Sequence, residues 1–462
     1  MFLDYPFLTI YNSCMAMLTL YKRFQEKRVV QNFRRVAERV PFYKRFLAEN
    51  KVNPSSIRTI TDFRNLVPIL NKDRLYVDNL GDVTSIFSNG SLKGVQSIFP
   101  SSGFSGKFSF GLLPDGEFLK QGKLMDYLLN LNFGVLKKKT LLINCLSMGI
   151  NVPATKVVTI NTGLRSDIII SVLKAFSAQF EQILLIGENA FIKKTLEDAA
   201  DAGIDWRSLN VHIIFGGESF PESFRHYLES IIEPNPYHPL LGSSMGFSEV
   251  GVNVLWETRR TIKLRKKAWE DGNLRKDLTR DDDNLCPVFF ISNPFSVYIE
   301  EEDGRLIFTH LTDKGHLPII RYATGDKGYI IHSERLRKVL PAYGLSDCMP
   351  EFNMPIIAVR SRTDHLKVDD IEVYPENIKN AIYSDPGLAR SVTGYFHMST
   401  RGNRLHLDIQ LKKQTKHSDD LKARLLESLR SVLKCDIEAV FHHYNEFPYA
   451  MELDYERKFK YI

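Results

Sequence analysis

The chain has 462 residues, too many for one ordinary core, which predicts two or more domains. Apolar residues make up 44% and charged residues 25%, a balance that excludes large-scale disorder. The formal charge of +6 suits an anionic nucleotide, but basic residues are interleaved with acidic ones and no nucleic-acid-binding pattern is present, so no nucleic-acid partner is expected. The cysteines, at 14, 145, 286, 348 and 435, are widely spaced and form no CxxC pair, which excludes a disulfide framework and a thiolate zinc site and suits a reducing, cytoplasmic setting.

Residues 1–21 are rich in Leu, Phe, Tyr and Met but are interrupted by Asp4 and Pro6. They read as an amphipathic helix packing on the body rather than a signal peptide or integral membrane segment, with peripheral membrane contact as the alternative. Helical spacing continues over 22–50, broken at Val40-Pro41. Thr61-Asp62-Phe63 carries helix-start chemistry, and residues 1–90 together predict a helical layer.

From about 95 to 255, short apolar runs (140–144, 182–186, 211–215) alternate with stretches of helical period (166–179, 191–202). This predicts an α/β sheet with helices on its faces, and ligands at the turns that end the strands. Residues 258–284 are the most charged and read as a solvated surface helix and loop. Residues 286–335 are β-like, with a hairpin turn at Asp303-Gly304. Residues 336–355 read as loop. From about 362, smaller strand and helix signals (405–411, 419–433, 437–442) predict a separate α+β domain.

Five segments carry chemistry. Ser101-Ser102-Gly103-Phe104-Ser105-Gly106-Lys107 has glycines, hydroxyls and a lysine suited to a polyphosphate, because glycine lets backbone N–H groups turn toward an anion. It is not a Walker A loop, since only two residues separate Gly103 from Gly106 and Phe108 follows Lys107. Gly216-Gly217-Glu218-Ser219 ends an apolar strand and would let a flat ring approach the backbone. Glu249 sits in a loop after 242–248, where a carboxylate beside a polyphosphate calls for a magnesium ion. Asp326 ends Leu317-Pro-Ile-Ile-Arg-Tyr-Ala-Thr-Gly-Asp326 and can accept hydrogen bonds from a ribose diol. Arg360-Ser-Arg362-Thr-Asp364 lies at the inferred domain junction, and the tail places Lys458 and Lys460 on the small domain.

In this order the segments resemble the motifs of the acyl-adenylate-forming superfamily, and most of all its phenylacetate–CoA ligase-like branch. That branch has a Ser-Ser-Gly-Thr-Thr-Gly-Lys loop, a Gly-Gly-Glu turn, Tyr-Gly-x-Ser/Thr-Glu, Ile-Arg-Tyr-Arg-Thr-Gly-Asp, a Gly-Arg-Ser-Asp-Asp hinge and a terminal Gly-Lys. The resemblance runs from about residue 38 to the C-terminus. It implies an α/β protein with a large N-terminal adenylation core of sheets flanked by helices (1–360) and a small mobile α+β C-terminal lid (361–462).

The resemblance also implies an ATP- and Mg2+-dependent ligase that converts a carboxylic acid, aryl or fatty, to an acyl-AMP. The acyl group would pass to the thiol of CoA or of a carrier-protein phosphopantetheine. The alternatives are transfer to an amine, or a non-catalytic nucleotide-binding homologue. Residue by residue, Ser101, Ser102, Gly103, Ser105, Gly106 and Lys107 would hold the departing pyrophosphate. Gly217 and Glu218 would lie beside adenine, Glu249 would bind magnesium, Asp326 would hold the ribose, and Arg362 would sit near ribose and phosphate. Asp364 would be the hinge. Lys458, with Lys460 as alternative, would reach the carboxylate and α-phosphate.

The sequence departs from the family at Phe104, where Ser/Thr is usual, and at Met245, where an aromatic is usual. It also departs at Arg457, where glycine is usual, and at 368–375, where three carboxylates appear and the family's glycine is missing.

Overall fold

The structure, a computed structural model, describes residues 14–100, 109–147, 149–248, 250–279, 285–293, 295–311, 317–360, 364–450, 455 and 458–462. The chain divides into two compact units. The first contains the described residues of Met1–Ser101, Lys107–Glu117 and Gly246–Arg360. The second contains those of Phe118–Met245 and Ser361–Ile462. No helix among the described residues is long and apolar enough to cross a membrane.

The first unit opens with the helix Cys14–Arg39, which stops at Val40 because proline starts the next helix, Pro41–Glu49. The helix expected at Thr61 is Ile60–Leu66. Thr59 is its N-cap, and Thr59 and Asp62 close a reciprocal capping box. Antiparallel strands follow in the order Val297–Glu302, Arg305–His310, Tyr322–Ile331, Ile356–Arg360, Val288–Ser292. Gly251–Trp256 pairs with the last of these. The 297–302 and 305–310 pair is the hairpin expected at Asp303-Gly304. Val95–Pro100 and Phe110–Pro114 form a separate antiparallel pair.

Two expectations for this unit are corrected. The stretch read as loop from 336 begins inside a helix, Ser333–Ala342, which buries Leu336, Val339 and Leu340. Pro341 signals a break but falls in the last turn, where it terminates the helix without preventing it. The charged 258–284 stretch is not merely solvated surface. Helices Arg259–Glu270 and Gly272–Thr279 bury Leu264, Ala268, Leu274 and Leu278 in a core with Leu336 and Ile356. Asp281, Asp282 and Asp283 lie outside the described residues.

The second unit holds a parallel sheet ordered Val158–Asn161, Thr140–Cys145, Gln182–Glu188, Val211–Gly216, followed by the first residues of Leu241–Phe247, whose pairs are 241–243. Its inner strands are buried on both faces and centre on the apolar runs 141–143 and 183–186. Helices Ser166–Phe176, Asn189–Asp201 and Glu222–Ile232 cover it. The C-terminal segment adds the pair Leu366–Val368 and Ile371–Val373. It also adds a sheet of Val392–Arg401, Arg404–Leu411 and Asp436–His442, the last pairing in parallel. One apolar core runs through the unit: Ile143, Leu185, Ile213 and Phe224 share it with Ile378, Phe396, Leu407 and Leu425. Phe224 meets Tyr383 edge-on at 4.8 Å.

Candidate active site

In the second unit, two neighbouring parallel strands end at Glu188 and Gly216, which face each other in the register. Ligands of such sheets bind beyond the carboxyl ends of the strands. Gly217 follows with φ +92°, and a Cβ there would come within 3.3 Å of the Glu188 carboxyl carbon, so the turn requires glycine. Asn189 Nδ2 donates to the Glu218 carbonyl at 2.8 Å, and Ser219 Oγ donates to Glu376 Oε1 at 3.0 Å. The turn is thus fixed from both sides.

The Glu218 carboxylate accepts from Lys379 Nζ at 2.8 Å and from Tyr461 Oη at 3.2 Å. Burial pushes the Lys379 ammonium down, but Glu218 and Glu376 outweigh it and its pKa rises, so the lysine stays charged. Burial, and then the nearby Glu218, push the Tyr461 phenol well above its ordinary range. Glu188, Glu218, Lys379, Tyr395 and Lys458 line a cavity of about 30 Å³. Lys460, the alternative lid lysine, is exposed.

In the first unit the flanks of two expected motifs come together. The loop Ser101–Lys107 and Glu249 lie outside the described residues, but Ser109 Oγ is 3.2 Å from Ser248 Oγ. Ser109 is fully buried. A Cβ at Gly111 would stand 1.8 Å from the Ser248 carbonyl oxygen, so these backbones touch only because residue 111 is glycine. On the other side of Glu249, the Val250 carbonyl accepts from the His310 Nε2 at 2.9 Å. A carbonyl cannot donate, so that ring nitrogen carries the proton. Burial holds His310 below the usual imidazole pKa.

Asp326 lies on a bulge. Arg305 pairs with Lys327 and Ile307 with Ala323, so Leu306 faces Thr324, Gly325 and Asp326 together. Bulges re-aim side chains and recur beside functional sites. Thr324 Oγ1 donates to Asp326 Oδ2 at 2.8 Å. Phe247 packs on Phe308, one strand over, at 5.0 Å. Arg321, five residues before Asp326 in the same motif, is structural. Its guanidinium donates to the Arg64 carbonyl at 2.6 Å and to Glu302 at 2.6 Å.

Asp364 is exposed just past the division of the units at Arg360. Arg362 and Arg457 lie outside the described residues. Beneath the strand ends at Glu188 and Gly216, Phe215 is buried among Phe220 and Phe224, and Phe133 rests on His212. Sequence reasoning missed Lys379 and Glu188. A lysine at the apolar helical position between Ile378 and Ala381 was the available signal for Lys379.

The architecture is α/β, with mixed sheets flanked by helices, and solved structures share this fold. Over 96% of its length the chain is similar to 89% of a 2-hydroxyisobutyryl-CoA ligase in the postadenylation state in complex with R3-HIB-AMP, at TM-score 0.70 and 12% identity. It is similar, at TM-score 0.58 and 14% identity, to an open conformation of that ligase in complex with 2-HIB-AMP and CoA, over 96% of this chain and 91% of that one. No protein-family model matches the sequence, and no curated protein does.

Proposed function

We propose that this chain is an ATP-dependent carboxylate-activating ligase. It forms an acyl-AMP and passes the acyl group to a thiol, that of CoA or of a carrier-protein phosphopantetheine. The observation that carries the reading is the Ser109–Ser248 contact, because it ties the exit of the serine–glycine loop to the residue preceding Glu249. A polyphosphate loop and a carboxylate have reason to adjoin when a cation is shared between them. CoA in one of the similar structures supports the thiol acceptor.

The chemistry follows from charge. A carboxylate oxygen attacks the α-phosphorus, the bond to the bridging oxygen breaks, and pyrophosphate leaves with that electron pair. The barrier is the meeting of two anions, and positioned cations lower it. Ser101, Ser102, Gly103, Ser105, Gly106 and Lys107 would donate to the leaving pyrophosphate. Asp326, presented by its bulge, would accept from the ribose hydroxyls, with Arg362 nearby.

Gly217 and Glu218 would lie beside the adenine. Lys458 would bring an ammonium to the carboxylate and α-phosphate. Among the described residues no group of three or more His, Cys, Asp or Glu forms a metal cluster. A magnesium site would rest on Glu249 and phosphate oxygens, and both neighbours of Glu249 are anchored, which supports it. Bound magnesium would supply charge neutralisation there.

We further propose that residues 361–462 act as a lid hinged at Asp364. Acid-dependent exchange of labelled pyrophosphate into ATP, across panels of aryl and fatty acids, tests the reading. Exchange with at least one acid class supports it, and none across both panels rejects it.

A further inference from the structure

Lys379 sits on the helix Pro375–Tyr383 and exposes only 10% of its side chain, against 22% for Glu218. A charge so buried persists only when paired. Its ammonium lies 2.8 Å from Glu218 Oε2 and 4.2 Å from the centroid of the Tyr461 ring. The Tyr461 hydroxyl donates to that same carboxylate oxygen, which closes a triangle of three side chains. The Tyr461 carbonyl accepts from Met398 N at 2.7 Å, and Phe459 stacks on Tyr395 at 4.6 Å. Lys458 immediately precedes Phe459 and lines the cavity beside Glu218.

We propose that Glu218, Lys379 and Tyr461 form a polar clamp that docks the tail onto the Gly216–Ser219 turn and so aims Lys458 into the cavity. Lys379 is then a positioning residue. It touches no reacting atom in this scheme, but it holds the carboxylate to which the tail is tied. The proposal rests on the reading of Lys458 as the adenylating lysine. It adds that the turn assigned to the adenine and the segment bearing that lysine are locked to each other by one half-buried carboxylate.

The test is acylation of the full-length protein with acetic anhydride, reading the labelling ratio of Lys458 to exposed Lys460 by mass spectrometry. Lys379→Met should raise that ratio about tenfold, the equivalent of about 1.4 kcal/mol of lost docking. Tyr461→Phe, which removes one hydroxyl, should raise it less, and Lys379→Arg should restore it. In pyrophosphate exchange the same variants should lower kcat in the same order.

If the wild type exchanges no pyrophosphate, the ligase reading fails while the labelling ratio still decides the clamp. If Lys379→Met does not fold, Tyr461→Phe decides it. A ratio unchanged in the folded variants, with melting temperatures retained, overturns the clamp.

Discussion

Ser109 Oγ lies 3.2 Å from Ser248 Oγ, so the strand leaving the serine–glycine loop and the turn carrying Glu249 are held side by side. Two segments more than a hundred residues apart in sequence meet where both were expected to serve one polyphosphate. The contact depends on backbone approach as much as on the hydroxyls.

Gly111→Ala therefore tests that approach. The added methyl would meet the Ser248 carbonyl oxygen at 1.8 Å, and backbone cannot swing aside as a side chain can. Overpacking of this kind costs roughly 1–3 kcal/mol. A lowered melting temperature is expected, together with a loss of pyrophosphate exchange larger than that of Ser109→Ala, which removes only a hydroxyl.

Lys193 gives a pH dependence. Lys193 and Lys412 share one carboxylate, with Glu197 at 3.0 Å from the first and 2.8 Å from the second. Lys193 also donates to the Val392 carbonyl at 2.8 Å, and Tyr227 donates to Glu197. Two ammoniums against one buried carboxylate leave a positive excess. Burial pushes Lys193 down to about 8 from 10.5, with Lys412 and Arg390 adding to the fall and Glu197 opposing it. Between those values the unfolded chain holds the proton and the folded chain releases it, so stability rises with pH. Below about 8 both states hold it and the cost is complete. Urea unfolding should show a rise of roughly 1–3 kcal/mol from pH 8 toward 10 relative to Lys193→Met, in which it is absent.

Arg321 separates folding from chemistry. It reaches the Arg64 and Val67 carbonyls, Glu302, and the buried Glu300 at 3.4 Å. Burial pushes the Glu300 carboxyl up, and Arg321 and Arg64 oppose it. Arg321→Met takes the nearer cation from that carboxylate and a donor from two carbonyls, and a loss of about 3–5 kcal/mol is expected in urea unfolding. Arg321→Lys keeps the charge but not the fork, and its loss should be smaller.

Part of the parallel sheet was legible because its central strands carry short apolar runs, 141–143 and 183–186 among them. The helix Ser333–Ala342 was not, because Pro341 and Gly344 outweigh three apolar residues in a local reading. Helix Arg259–Glu270 hid its buried stripe among lysines and arginines whose stems cover apolar surface. The bulge at Asp326 is a property of pairing, and no residue pattern announces two extra residues on one strand. The Glu218–Lys379 pair joins positions 161 residues apart, and only the folded chain shows that they meet.

The most direct measurement is acid-dependent pyrophosphate exchange in the wild type, Lys458→Ala and Lys460→Ala, read together. Losing a positioned cation from such a site costs roughly 10²–10³ in rate. Lys458→Ala should lose that much with its fold intact, while Lys460→Ala stays near wild type. Equal activity in all three, or loss confined to Lys460→Ala, would contradict the assignment of the cavity lysine to adenylation.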